Sequence, residues 1–194
     1  ASLSENTIFK KPFWMAQDVS KNKEGAYTGQ ISSKLLNKID AGCLIGHSEL
    51  REESDTNEIV HLKGIRLKEE KVSPVLLCVG ESLDILEANK REDFIREQLN
   101  SYFKDGLFPD IIAYEPLWAI GTGVSADKRN IEDAMSIISK FLEEKDHKNL
   151  PILYGGSVSS KNIEEILSIT SVSGCLIGNS SLDGKEFARI AKKF

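Results

Sequence analysis

Six short apolar runs set the tightest limit on what this chain can fold into. They lie at 13–17, 42–45, 75–79, 111–114, 152–154 and 174–177, and most are apolar on successive residues. A strand with one face in water alternates apolar and polar residues. A run that is apolar throughout is covered on both faces, as parallel strands between other layers are. Between the runs lie stretches with helical spacing of apolar residues, at 31–39, 55–67, 88–103, 131–142, 162–167 and 187–191. In the third of these, Phe94, Ile95, Leu99 and Tyr102 share a face. Strand then helix, repeated, predicts a parallel α/β fold.

A doubly wound sheet and a (β/α)8 barrel share this local rhythm. Polar residues follow the runs closely: Asp18, His47, Glu81, Glu115, Gly155 to Ser157, and Gly178 to Ser180. A barrel builds its active site at the C-terminal ends of its strands, so this clustering favours the barrel. A full barrel has eight strands and about 250 residues, whereas this chain offers six units in 194 residues. The expectation is therefore a (β/α)8 barrel lacking about its first two β/α units. No Gly-Ser or Pro-rich tract divides the chain, which reads as a single domain over 1–194.

Composition narrows the function. A net charge of −5 and a pI near 5.4 leave no basic footprint for nucleic acid. No apolar run reaches membrane-spanning length, and the polar opening Ala1-Ser-Leu-Ser-Glu-Asn is not a signal peptide. Cys43, Cys78 and Cys175 each sit in an apolar run and read as buried free thiols of a reducing compartment, so the expected location is cytoplasmic. His61 and His147 lack metal-ligand spacing, and no cofactor motif is present.

The segment Ala113-Tyr-Glu-Pro-Leu-Trp-Ala-Ile-Gly-Thr-Gly123 carries the sharpest chemical signal. Glu115 ends an apolar run, Pro116 stiffens a hinge, and a mostly apolar loop follows, closed by Gly121 and Gly123. A loop carboxylate is ordinarily a solvated one. An apolar strand before it and an apolar flap after it instead desolvate it, which raises its proton affinity toward that of a working base. Gly46 lets the chain turn after the second run and leaves His47 at a strand end, in Ile45-Gly-His-Ser-Glu49. The turns Tyr154-Gly-Gly-Ser-Val158 and Ile177-Gly-Asn-Ser-Ser-Leu182 follow the last two runs and can turn backbone N–H groups toward a phosphate. The stretch Asn89-Lys-Arg-Glu-Asp93 reads as a solvated helix start.

Together these motifs closely resemble the triosephosphate isomerase family, whose fold is the (β/α)8 TIM barrel. The resemblance runs from about Phe13 to the C-terminus. It implies that Glu115 is the catalytic base and His47 a neutral electrophile in the interconversion of dihydroxyacetone phosphate and glyceraldehyde 3-phosphate, with no cofactor and no metal. It carries phosphate contacts onto Gly121, Ser157, Gly178 and Asn179, and a lid latch onto Tyr154 and Ser157. Asn179 stands where the family usually has a second glycine; asparagine tolerates left-handed backbone geometry, so its amide can still point inward. Gly25-Ala-Tyr-Thr-Gly29 resembles a loop that inserts into a partner subunit, which implies a homodimer with Thr28 crossing the interface. Cys78-Val-Gly-Glu81 resembles a supporting strand end.

The chain departs from the family pattern in two places. Leu50 and Arg51 follow Glu49 where the family usually has two arginines. Nothing matches the family's Asn-Trp-Lys-type first strand, whose lysine holds the substrate phosphate. These 194 residues alone are therefore expected to be nearly inactive and poorly stable. Two other readings share the phosphate turns: another barrel enzyme acting on a small phosphorylated substrate, and a non-catalytic phosphometabolite-binding barrel.

Overall fold

Strand order separates the two candidate architectures. The computed structural model describes residues 14–120 and 126–194. Its strands are β1 (Met15–Ala16), β2 (Gly42–Ile45), β3 (Val75–Val79), β4 (Ile111–Tyr114), β5 (Ile152–Tyr154) and β6 (Gly174–Cys175). They form one all-parallel sheet in the order β1-β2-β3-β4-β5-β6. A doubly wound sheet reverses its order at a switch point, whereas a barrel wall runs in sequence. This sheet is a barrel-like wall of six strands.

The helices are α1 (Ser33–Lys38), α2 (Ser48–Glu53), α3 (Asn57–Glu69), α4 (Leu83–Glu87), α5 (Arg91–Tyr102), α6 (Lys128–Glu144), α7 (Ile163–Leu167) and α8 (Gly184–Ala191). Successive strand residues point to opposite faces, and the two faces have different partners. Ile45, Leu77, Val79, Ile112, Tyr114 and Tyr154 pack with helix residues such as Val60, Leu67, Ile95, Leu99, Ile138 and Phe141. Leu44, Leu76, Cys78, Ile111 and Ala113 form a second cluster built from strands alone, joined by Met15, Leu153 and Leu176. Helices on one face and strand side chains on the other explain why β2, β3 and β4 are apolar at every position.

The four inner runs have the expected bounds. The two outer ones are shorter than expected, because each edge strand has one ladder partner. Phe13 lies outside the described residues, β1 covers only Met15–Ala16, and β6 ends at Cys175. Helix starts differ more. Ser32, Thr56, Asp127 and Asp183 cap α1, α3, α6 and α8 with their side chains. α3 begins two residues later than its apolar stretch suggested, because Thr56 sets its start. α6 and α8 begin three residues earlier, because a capped first turn is polar and carries no apolar period. Helices α2 and α4 were not anticipated: both are short, six and five residues, and α2 is largely polar.

Candidate active site

The exits of β2, β3 and β4 converge on one carboxylate. Gly46 follows β2 with φ +71°, a conformation suited to glycine. The chain then enters α2 with His47 as its N-cap, and His47 Nδ1 accepts from the Glu49 amide at 3.3 Å. An accepting Nδ1 leaves the ring proton on Nε2. That nitrogen lies 3.2 Å from Glu115 Oε1. The Ser48 amide, in the first turn of α2, donates to Glu115 Oε2 at 3.0 Å.

Glu115 is 2% exposed. Burial pushes its carboxyl above the ordinary carboxylate range, and His47, the Ser48 amide, the Cys78 thiol and Arg51 work against that rise. Its backbone is equally confined. Its amide donates to Val79 O at 2.8 Å. A Cβ on Gly80 would lie 1.9 Å from the Glu115 carbonyl oxygen, so only glycine allows β3 and β4 to approach here. The Gln98 side chain holds Gly80 from α5, accepting from its amide at 2.9 Å and donating to its carbonyl at 3.1 Å.

Glu81 is fully buried. Its Oε1 accepts from Arg91 Nε at 3.0 Å, Tyr114 Oη at 3.0 Å and Trp118 Nε1 at 3.3 Å. Arg91 also donates to the Asn130 side chain at 2.9 Å, at the start of α6. This corrects the reading of Asn89 to Asp93 as solvated at one position: the Arg91 side chain is buried and paired, while Asn89, Lys90, Glu92 and Asp93 are exposed. Glu81 O accepts from Leu117 N at 3.0 Å. Glu81 thus binds Tyr114, Leu117 and Trp118 ahead of the glycine-rich segment directly, and reaches Asn130 beyond it through Arg91. Gly121 and Gly123 lie outside the described residues.

Ser157 Oγ donates to Ala119 O at 2.6 Å, and its amide donates to the same oxygen at 3.1 Å. Tyr154 is buried beside it. Burial pushes its hydroxyl up to about 12, opposed by the Ala126 amide beyond the segment. The last turn is more open. Gly178 and Asn179 are exposed, and Ser180 Oγ donates to Val158 O at 2.5 Å, joining this turn to the one after β5. Asn179 is not left-handed as expected; it opens a single 3-10 turn, Asn179–Ser181. Thr28 lies in an exposed turn before Gly29, whose φ is +84°. Asp18 is tied up structurally, at 2.6 Å from Lys63 Nζ, which also meets Asp55 at 2.7 Å.

The sequence model of the triosephosphate isomerase family matches residues 2–194. The chain belongs to the triosephosphate isomerase family. The chain is 40% identical over 186 residues to the triosephosphate isomerase of Corynebacterium efficiens, spanning 91% of this chain and 71% of that one. It is 39% identical over 193 residues to the Mesomycoplasma hyorhinis triosephosphate isomerase, spanning 98% and 76%. The crystal structure of the Bartonella henselae triosephosphate isomerase superposes with a TM-score of 0.83 at 31% identity, covering 93% of this chain and 76% of that one. The barrel reading is thereby borne out, and the chain spans about three quarters of these triosephosphate isomerases. Among the described residues, no helix is long and apolar enough to cross a membrane, and no His, Cys, Asp and Glu group is arranged to hold a metal ion.

Proposed function

We propose that these residues form the working site of a triosephosphate isomerase, interconverting dihydroxyacetone phosphate and D-glyceraldehyde 3-phosphate through an enediolate. The observation that carries this reading is the buried Glu115 carboxylate, 3.2 Å from the protonated nitrogen of His47. The reaction moves one proton between adjacent carbons. Glu115 removes it from the carbon beside the carbonyl and returns it to the neighbouring carbon. A carboxylate raised by burial is a stronger base for that step than one in water. The His47 Nε2–H donates to the substrate oxygens as negative charge grows on them. No electrons change hands, so the chemistry calls for no redox cofactor.

The phosphate is assigned to the backbone around Gly121, Ser157, Gly178 and Asn179. Tyr154 and Ser157 latch a lid over it, which is supported by the grip of Ser157 on Ala119. The site works within a single domain and in a cytoplasmic homodimer, with Thr28 reaching the partner. Solvent-deuterium exchange at the C1 protons of dihydroxyacetone phosphate tests the proposal, because NMR detects even slow enolisation. Exchange above that of the Glu115→Gln variant supports it. Equal exchange in the two proteins overturns it, and phosphoglycolate binding without exchange favours the phosphate-binding barrel instead.

A further inference from the structure

Arg51 has no place in the proposed chemistry, yet it ties together the β2 and β3 exits beside Glu115. From α2 its side chain turns back under the start of its own helix. Nε donates to Gly46 O at 2.8 Å, Nη2 to Cys78 O at 3.3 Å, and Nη1 to Asn57 Oδ1 at 2.9 Å. Gly46 O belongs to the turn that delivers His47 and Ser48, and Cys78 O to the last residues of β3 before Gly80. One planar guanidinium thus joins two strand exits and the first residue of α3. Lysine has no such fork and cannot reproduce it. A Cβ on Gly46 would come within 3.0 Å of Nη2, so the turn and the guanidinium fit each other closely.

We propose that Arg51 is a positioning residue for the Glu115–His47 pair: it locks the β2 exit to the β3 exit so that the Ser48 amide meets the carboxylate, and it keeps a fixed positive charge within electrostatic reach of it. Three other groups act on Glu115: His47 from the β2 exit, the Ser48 amide from α2, and the Cys78 thiol from β3. Arg51 is the one fixed cation in that set. Burial works against the Arg51 charge, and Asp55 and Glu115 are among the groups that sustain it. The inference rests on Glu115 being the base, and it concerns how that base is held and tuned.

The test needs no turnover. Titrate the Glu115 carboxyl by carbon-13 NMR, and follow amide hydrogen exchange at Ser48, in the unsubstituted chain, Arg51→Met and Arg51→Lys. Arg51→Met is expected to move the Glu115 midpoint upward and to speed Ser48 exchange about fivefold, as for the loss of one net hydrogen bond. Arg51→Lys is expected to keep the midpoint near that of the unsubstituted chain while Ser48 exchange still rises, separating charge from tether. Should Arg51→Met fail to fold, Arg51→Lys decides alone. An unmoved midpoint in folded Arg51→Met, or unchanged Ser48 exchange in Arg51→Lys, overturns the proposal. Deuterium exchange into dihydroxyacetone phosphate keeps the two readings apart. Its absence alongside an Arg51-dependent midpoint sinks the isomerase reading alone, and its presence with an Arg51-independent midpoint sinks this one.

Discussion

The two halves of the candidate site are built differently. Around Glu115 each backbone and side-chain partner is fixed. Glu115 is 2% exposed, Gly80 after β3 lies against its backbone carbonyl, and Ser48 and His47 occupy its two carboxylate oxygens. Around Gly178 and Asn179 the chain is exposed and held mainly by serine hydroxyls, Ser180 to Val158 and Ser181 to Gly178. The contrast follows from the tasks assigned to each half. A base needs low polarity and fixed geometry before the ligand arrives. A phosphate can be met by backbone amides that stay in water until it binds.

The comparison breaks most sharply at Glu115 itself. Glu115→Gln is expected to lower proton exchange by about 10²–10⁴-fold, the usual contribution of a positioned base, while calorimetric binding of a phosphate ester stays measurable. Gly80→Ala comes next: a methyl against the Glu115 carbonyl should destabilise the fold by about 3 kcal/mol or more, read from urea unfolding. Ser157→Ala removes the hydroxyl bond to Ala119 and should weaken phosphate-ester binding about fivefold, leaving the Glu115 titration where it was. If Ser157→Ala moves that titration, the two halves are not independent.

The smallest effect concerns pH. Folding raises the Glu115 pKa, so between its unfolded and folded values the native state binds more protons than the unfolded one. The ionised carboxylate therefore costs stability at neutral pH, and that cost shrinks as pH falls below the raised value and is gone below the unfolded one. Relative to the unsubstituted chain, Glu115→Gln is expected to be favoured at pH 7 and to lose that advantage on acidification. Parallel thermal melts across the acid range check this. For the same reason, the acid limb of the exchange rate should lie above the titration of a free glutamate.

Much of this was legible along the chain. Runs 42–45, 75–79, 111–114 and 152–154 are apolar because both faces of the sheet are covered, and a linear pattern records that directly. Glu115 and His47 stood out because each follows such a run within a motif that resembles the family's. Arg91 did not, since a charged residue at a polar helix start resembles a solvated one until the buried Glu81, in the loop after β3, is brought against it. Gln98 gave no signal either, because its partners are backbone atoms of Gly80, which carry no sequence mark.

The sequence by itself determined the β/α order and the inner strands, because apolar period is a local property, and its motifs singled out Glu115 and His47 through their resemblance to the family. Only the tertiary structure decided that Glu115 would meet Ser48 and His47, that Glu81 would hold Arg91 and Trp118, and that Arg51 would bridge two strand exits. Most of those contacts join residues far apart in the chain, and their geometry exists only once neighbouring strands lie side by side and exclude water between them.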